Sequence, residues 1–318
     1  MKSVAYVGNF APAYSTENDV AKAFEYIGWN VKKIQENGTT IPQTRELALD
    51  SDLLLITGTW GRDAIELDDW LGLIHELAVN KIPSATLHLD TFWSTGRGGR
   101  KWWIEPMFHT SYLFTADGDY QKQWELLGKK HYWLRPGVRH DAVGFGELKQ
   151  EYVCDVAFVG SNGVGYHEDV YPERRHLVNA LREMCQRNKW VWRNPGGDEP
   201  KIERDNSMND FYASAKVTVG DSLCLKKEVS HYCSDRVYEA TGRGGFLIMP
   251  KLNFLDIDFD GNLPMFSWGD YTELENLIRY WLYNDDKRIK TQKACQQYTA
   301  KNHTYVNRIK EMLGVIGL

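Results

Sequence analysis

Short apolar segments alternate with helix-like segments along most of the chain, and this alternation limits the possible fold more than any other feature. Residues 52–57 (DLLLIT) and 83–89 are too short for buried helices, and each segment stops at a glycine or an aspartate. They lack the regular apolar–polar alternation of an open antiparallel sheet. Apolar strands that alternate with helices are typical of a parallel sheet covered on both faces. The sequence therefore predicts an α/β fold.

The alternation runs through the chain twice, which predicts two Rossmann-like domains. It restarts at residues 152–159 (YVCDVAFV), after a glycine-containing stretch at 144–147 that is typical of a linker. We expect a first domain at 1–148, completed by a C-terminal helix at 304–318, and a second domain at 149–303. Parallel sheets bind ligands at the carboxyl ends of their strands, so the two domains are expected to face each other across a binding cleft.

Charge, cysteine content and hydropathy restrict the partners and the location. The net charge is −5, whereas a protein that binds duplex nucleic acid is usually basic over its binding face. The five cysteines form no Cys-x-x-Cys pair, which indicates neither a disulfide framework nor a zinc site and fits the cytoplasm. No stretch approaches the roughly 20 apolar residues of a membrane span.

An ordered series of motifs in the second half resembles a known enzyme family. The series consists of YVCDVAFVGS (152–161), SDRVYEATGRGGF (234–246), WGDY (268–271) and HTYVNR (303–308). It resembles the CgeB-like glycosyltransferases, a family of spore maturation proteins and phage-encoded relatives, and the resemblance covers roughly 150–313. The first half is similar to that family only in its rhythm of strands.

The resemblance implies a GT-B glycosyltransferase. Such enzymes have an acceptor domain first and a donor domain second, and the last helix crosses back to the first domain. The donor would be a nucleotide sugar, UDP-linked by the habit of the family, with no essential divalent metal or other cofactor. A phage-encoded member would act in the host cytoplasm, and DNA with modified bases, a glycan or a small molecule would accept the sugar.

The segment around residues 234–246 is the candidate donor site. Arg236 and Glu239 lie three residues apart, so they would share one helix face, with the helix N-terminus at Ser234 offering free N–H groups to phosphate. We expect Arg236 to hold the diphosphate, Glu239 to accept the ribose hydroxyls, and Gly245 to allow close backbone approach. The family spacing adds His231 near the sugar or phosphate. The alternative is an N-capped helix with a surface Arg–Glu pair.

The glycine-rich loop at 160–165 is a second candidate phosphate site. It follows a strand and precedes a helix, so its backbone N–H groups, with Ser161 and Arg174, would cradle a pyrophosphate. A solvent-exposed helix charge is the alternative for Arg174. The Gly-x-Gly-x-x-Gly order is missing and no acidic residue ends the strand predicted at 190–192, which disfavours a nicotinamide-dependent enzyme.

The acceptor side has weaker signals. Asp90 ends a predicted strand two residues after His88 and is the candidate base that removes the acceptor proton. The alternatives are a carboxylate that caps the next segment, or a retaining mechanism that needs no base. Asn9 follows the first strand and would face the same cleft.

A cationic and aromatic segment at 95–103 is the candidate nucleic-acid contact. It contains Arg97, Arg100, Lys101 and Trp102 among several glycines. Cations hold phosphates, and indoles stack on bases or sugars. The alternatives are a loop that closes over the donor, or tryptophans packed in the core.

Two acidic motifs mimic metal sites but are predicted to be turns. Asp117-Gly118-Asp119 resembles an Asp-x-Asp metal motif, but it lies in the half without the donor residues, so we expect a surface turn. Residues 256–262 (DIDFDGN) lack the closing glutamate of a calcium loop. Two other functions stay open beside sugar transfer: a nucleotide-sugar-modifying enzyme on a similar fold, and a non-catalytic module that binds nucleotide sugar or nucleic acid.

Overall fold

The computed structural model describes residues 1–57, 67–90, 93, 103, 105–163, 173–222 and 231–318. These residues divide into two compact units. Unit 1 comprises Met1–Arg135 and Tyr305–Leu318, and unit 2 comprises Pro136–Thr304. The sequence-based boundaries lie after residues 148 and 303, whereas these units divide after residues 135 and 304.

Unit 1 is built on one parallel sheet. Its strands are β1 (Ser3–Gly8), β2 (Asn30–Gln35), β3 (Leu53–Ile56), β4 (Ser84–His88), β5 (Tyr112–Thr115) and β6 (His131–Trp133), in the order β2-β1-β3-β4-β5-β6. Its helices are α1 (Thr16–Tyr26), α2 (Ile41–Leu49), α3 (Leu67–Val79), α4 (Gln121–Leu126) and α11 (Tyr305–Ile316). The sequence pattern does not predict α4 and β6, because elements this short carry almost no periodicity.

The strands of unit 1 are buried on both faces. In β3, Leu53 and Leu55 belong to an apolar cluster with Phe24, whereas Leu54 belongs to a second cluster with Trp70. Helix α1 therefore covers one face and α3 the other. Neither face of such a strand meets water, which explains why its sequence shows no alternation.

The C-terminal helix belongs to unit 1. Ile309, Met312 and Leu313 of α11 lie three and four residues from their neighbours on one helix face, and they pack in the same cluster as Val20 and Phe24 of α1. The prediction that the last helix completes the first α/β unit is therefore confirmed.

Unit 2 is built on a second parallel sheet. Its strands are β7 (Cys154–Ala157), β8 (Trp192–Arg193), β9 (Ala215–Val219), β10 (Leu247–Pro250) and β11 (Met265–Phe266), in the order β11-β10-β9-β7-β8. Its helices are α5 (Arg174–Asn188), α6 (Asn206–Ser214), α7 (Arg236–Gly242), α8 (Asn253–Asp258), α9 (Tyr271–Tyr283) and α10 (Asp285–Asn302). The prediction of two parallel α/β sheets is confirmed.

The two acidic motifs differ from their predictions. Residues 256–258 lie in α8, so the predicted turn begins only after that helix, where Asp260 and Gly261 have positive φ angles. Asp117 is fully buried, which contradicts a surface turn at that residue. Its carboxylate lies beside the backbone N–H of Trp93. Over the described ranges, no group of three His, Cys, Asp or Glu side chains could hold a metal ion.

The described helices and cysteines bear on the remaining expectations. Not one of the helices within the described ranges combines the length and the apolar character needed to cross a bilayer. The four cysteines in these ranges, Cys154, Cys185, Cys233 and Cys295, are buried free thiols.

The packing of α11 predicts how much it stabilises unit 1. Replacing the fully buried Ile309 by alanine removes core contacts and leaves a cavity, so we expect the free energy of unfolding to fall by about 2–5 kcal/mol. Val315→Ala, on the partly exposed face of the same helix, should change it by less than about 0.5 kcal/mol. Denaturant unfolding followed by tryptophan fluorescence measures both. Equal effects of the two substitutions would contradict this packing.

Candidate functional site

The strand order of unit 2 defines where a ligand would bind. Strand β7 pairs with β8 on one side and with β9 on the other, so the chain leaves β7 in one direction and returns on the opposite side. A crevice opens at such a switch point, beyond the carboxyl ends of the two strands. The residues that follow β7 and β9 include Ser161 and Asp221.

Arg174 reaches this switch point from the first position of α5. Its Nε donates to Asp221 Oδ2 at 2.6 Å and its Nη2 donates to Asp221 Oδ1 at 3.2 Å. A third donor, Nη1, lies 3.2 Å from Ser161 Oγ. Arg174 and Asp221 are both almost fully buried. Arg174 is therefore not a solvent-exposed helix charge.

Arg236 joins the same carboxylate from the first position of α7. Its Nη1 donates to Asp221 Oδ1, and its Nε donates to the carbonyl oxygen of Val159 at 3.0 Å. The guanidinium carbons of Arg174 and Arg236 lie 5.8 and 5.2 Å from the ring centre of Phe158, in cation–π geometry. Two cations and one anion thus meet at the switch point. Their net positive charge favours the binding of a phosphate group.

The backbone after β7 is shaped around Arg236. Gly160 has φ +139°, and a Cβ at this position would lie 3.0 Å from Arg236 Nη2, so a larger residue would displace the guanidinium. The N–H of Gly160 donates to the carbonyl oxygen of Pro195 at 2.8 Å, and the buried Asn194 donates to the carbonyl oxygen of Gly160. The Gly160 N–H is therefore engaged in bracing the loop, which leaves phosphate contact to other groups.

Glu239 belongs to a separate ion cluster. Its Oε2 lies 2.7 Å from Arg243 Nε and its Oε1 lies 2.9 Å from Arg204 Nη2. Burial raises the pKa of Glu239, but the two guanidinium groups outweigh burial and hold that pKa below its usual value. Arg243 also donates to Asn209 Oδ1 at 2.7 Å and is almost fully buried.

Arg236 and Glu239 therefore do not form the shared surface pair that the three-residue spacing allows. Each binds a partner from another element of the fold: Arg236 binds Asp221 after β9, and Glu239 binds Arg204 before α6. The alternative of a surface Arg–Glu pair is wrong, because Glu239 is only 6% exposed.

The remaining donor candidates of unit 2 occupy different positions. Ser234 is buried, and its Oγ accepts the N–H of Arg236 at 3.2 Å, so it engages a group at the start of α7 that was expected to meet phosphate. His231 is exposed, and its ring stacks on that of Phe254 with 6.4 Å between the ring centres. Gly245 is buried, and a Cβ there would lie 2.8 Å from Tyr212 Cδ1, so packing against Tyr212 accounts for this glycine.

The acceptor candidates of unit 1 lie at or near the carboxyl edge of its sheet. Asp90 is half-buried and lies two residues beyond β4. The Oδ1 of Asn9 accepts hydrogen bonds from the N–H of Ala11 at 3.3 Å and from Gln35 Nε2 at 3.1 Å, so Asn9 organises the loop after β1. The candidates Arg97, Arg100, Lys101 and Trp102 lie outside the described residues.

The switch point of unit 1 lies between β1 and β3. The sequence does not predict one polar residue near it, Glu17. Glu17 in the first turn of α1 is buried, and a Cβ at Gly8 would lie 2.6 Å from its Cγ. The Oη of Tyr6 in β1 lies 2.9 Å from the Oγ1 of Thr57, the residue directly after β3. Burial, followed by the charge of Glu17, raises the pKa of Tyr6 well above its usual value.

Asp221 is the main residue of unit 2 that sequence reasoning missed. The predicted strand at 217–220 ends directly before it, and an acidic residue after a buried strand is the kind of signal that singled out Asp90 in unit 1. The rest of the signal is spatial, because the partners of Asp221 lie 47 and 15 residues away in sequence.

The chain matches one family and shares its fold with solved glycosyltransferases. The model of the family described as Glycosyl transferase-like matches residues 148–314. An alpha-glucosyltransferase (AGT) in complex with UDP superimposes with a TM-score of 0.68 at 10% identity, covering 100% of both chains. An alpha-glucosyltransferase with UDP and a 13-mer DNA containing an HMU base gives 0.66 at 9% identity, covering 99% of both chains.

A third solved structure extends the likeness beyond these alpha-glucosyltransferases. Sucrose-phosphate synthase from Thermosynechococcus elongatus gives a TM-score of 0.63 at 10% identity, covering 99% of this chain and 98% of that chain. No curated protein sequence matches the chain. At these identities the likeness shows the fold alone, and it confirms the GT-B fold.

The buried position of Asp221 predicts a large effect of its charge on stability. Asp221→Asn leaves the buried guanidinium of Arg174 and the part-buried guanidinium of Arg236 without their common anion, so we expect the free energy of unfolding to fall by about 3 kcal/mol. The control Glu147→Gln removes the exposed partner of Lys149, whose own side chain is also exposed, and should cost less than about 1 kcal/mol. Denaturant unfolding at low and high salt measures the loss of stability in each of the two variants. A similar small loss in both variants would contradict a buried, coupled cluster.

Proposed function

The chain belongs to the glycosyl transferase-like family, and on that premise we propose that it transfers a sugar from a nucleotide-sugar donor to an acceptor hydroxyl. The observation that carries this proposal is the pair Arg174 and Arg236 around Asp221 at the switch point of unit 2. Sugar transfer leaves a nucleoside diphosphate, whose negative charge grows as the glycosidic bond breaks. Two fixed guanidinium groups would stabilise that charge without rearranging in the transition state.

Glu239 is our proposed partner of the donor ribose. A carboxylate offers about four lone-pair sites, and Arg204 and Arg243 each engage a different oxygen of Glu239. Its remaining lone pairs can accept hydroxyl groups, and the low pKa keeps it ionised at neutral pH. We propose UDP as the nucleotide, since both alpha-glucosyltransferase neighbours are complexes with UDP. From its motifs we propose that the chain belongs to the CgeB-like branch.

The acceptor proposal is a hydroxyl of a modified base in DNA. It is supported by the cationic and aromatic sequence at 95–103 and by the DNA-bound alpha-glucosyltransferase that shares the fold. The net charge of −5 opposes broad binding of duplex DNA, so contact would be limited to a local patch. In this proposal Asp90, beyond the end of β4, removes the proton of the attacking hydroxyl.

Donor binding can be tested with a panel of nucleotide sugars. We expect one of UDP-, GDP- or ADP-glucose to bind in isothermal titration calorimetry, and Arg236→Lys to weaken that binding about tenfold. Lysine keeps the charge opposite Asp221 but loses the planar fork that binds phosphate. Arg279→Lys, at a half-exposed arginine beside Trp190, is the matched control and should bind like the wild type. If the folded wild type binds none of these nucleotide sugars, the proposal fails, and a protein that does not use a nucleotide-sugar donor is indicated.

The acceptor proposal has its own assay. Radiolabelled sugar should pass to DNA that carries a hydroxymethyl base and not to unmodified DNA. Asp90→Asn should lower this transfer at least about a hundredfold, the low end of what a general base contributes, and leave donor affinity unchanged. Asp69→Asn, at an exposed carboxylate of α3, is the control. Transfer to a glycan but not to DNA would refute the DNA acceptor, and full activity of Asp90→Asn would refute Asp90 as the base.

A further inference from the structure

A buried hydroxyl follows directly in sequence after the carboxylate that both arginines bind, and it has no assigned role. Ser222 follows Asp221 directly and is only 5% exposed. Throughout the part of the chain that the structure describes, its Oγ finds no hydrogen-bond partner. Buried side-chain hydroxyls nearly always have a partner, so an unsatisfied one in a native fold needs an explanation.

The backbone just before Ser222 is held by contacts of Gly220 and Asp221. Gly220 donates its N–H to the carbonyl oxygen of Ile248 at 2.9 Å, which ties this point of the chain to β10. A Cβ at Gly220 would lie 2.4 Å from Met249 Sδ, so the two segments are in direct contact. Asp221, the residue between Gly220 and Ser222, is held by the two arginines.

The position of Ser222 relates it to a phosphate ligand. It lies three residues beyond the carboxyl end of β9, next in sequence to the carboxylate that Arg174 and Arg236 share. A hydroxyl group can donate to a phosphate oxygen, and a hydrogen bond to a charged acceptor is roughly twice as strong as a neutral one. A bound diphosphate would therefore supply the missing acceptor.

We propose that Ser222 is a binding residue for the diphosphate of a nucleoside diphosphate, with its Oγ–H donating to a phosphate oxygen held by Arg174 and Arg236. This inference rests on the proposed function, because it assumes that a nucleotide binds in unit 2. Asp221 acts here as a positioning residue: it fixes both guanidinium groups and, through the chain, the serine next to it.

Thr218 supplies a matched control on the same strand. It is fully buried and, over the described residues, its Oγ1 also has no hydrogen-bond partner. Thr218 lies inside β9, paired with β7 and β10, whereas Ser222 lies beyond the strand end. The two hydroxyls therefore share burial and differ in their distance along the chain from the carboxyl edge.

The experiment compares Ser222→Ala with Thr218→Val. UDP, GDP and ADP are titrated into the wild type by calorimetry, and the tightest of them, its nucleoside and inorganic pyrophosphate are then titrated into both variants. We expect Ser222→Ala to weaken the nucleoside diphosphate and pyrophosphate about tenfold and to leave the nucleoside unchanged. Without ligand its thermal midpoint should equal that of the wild type, because no hydrogen bond within the protein is lost. Thr218→Val should leave the affinities unchanged.

Each other outcome overturns the inference in a distinct way. If the wild type binds none of the three diphosphates, the proposed function fails together with this inference. If the wild type binds one of them and Ser222→Ala binds it equally well, only the role of Ser222 is refuted. Equal weakening of the nucleoside and the diphosphate would place the hydroxyl at the nucleoside instead. A thermal midpoint lowered by several degrees without ligand would show a structural hydroxyl.

Discussion

The carboxylate of Asp221 between two guanidinium groups is the interaction on which the organisation of the candidate site depends. It connects the first residues of α5 and α7 to the end of β9, and so fixes two helices at the switch point of the sheet. Removing two buried charges and one part-buried charge from water is costly, and such a cluster survives only when its hydrogen bonds are well satisfied. Here the carboxylate accepts hydrogen bonds from both arginines. The Oγ of Ser161 accepts a further hydrogen bond from Arg174, and the carbonyl oxygen of Val159 accepts one from Arg236.

The order of the strands explains why the cluster lies where it does. In each unit the chain leaves one strand in one direction and returns on its other side, and the buried polar groups lie at or after the carboxyl ends of the two strands that flank this switch point. In unit 2 they are Asp221 and its arginines. In unit 1 it is the buried Glu17, beside Gly8. Parallel sheets thus localise polar groups at one edge, while the apolar strands behind them form the core.

The fold was predictable because its signals are local. Unbroken apolar strands such as β3 reveal a sheet covered on both faces, and the spacing of Ile309, Met312 and Leu313 reveals the packed face of α11. The prediction of Arg174 and Arg236 as phosphate-binding residues also used local signals, namely a glycine-rich loop and a helix start. Whether they bind a donor stays a prediction, although the structure does bring the two together.

The pairings within the site were not predictable, because they join residues that are distant in sequence. Periodicity places Arg236 and Glu239 on one helix, but it cannot show that Asp221 and Arg204 arrive from other elements to bind them. The burial of Asp117 escaped prediction for the same reason, since its surroundings are set by tertiary packing. The local sequence pattern therefore predicts the helices and strands of this chain, whereas the strand order determines which charged side chains come into contact.

A crystal structure of the protein with UDP would test the role of the arginine pair most directly. We expect the diphosphate beyond the carboxyl ends of β7 and β9, with its oxygens within about 3 Å of nitrogens of Arg174 and Arg236. We also expect the ribose on the side of Glu239. A diphosphate bound in unit 1, or bound in unit 2 without contact to either arginine, would contradict the central claim.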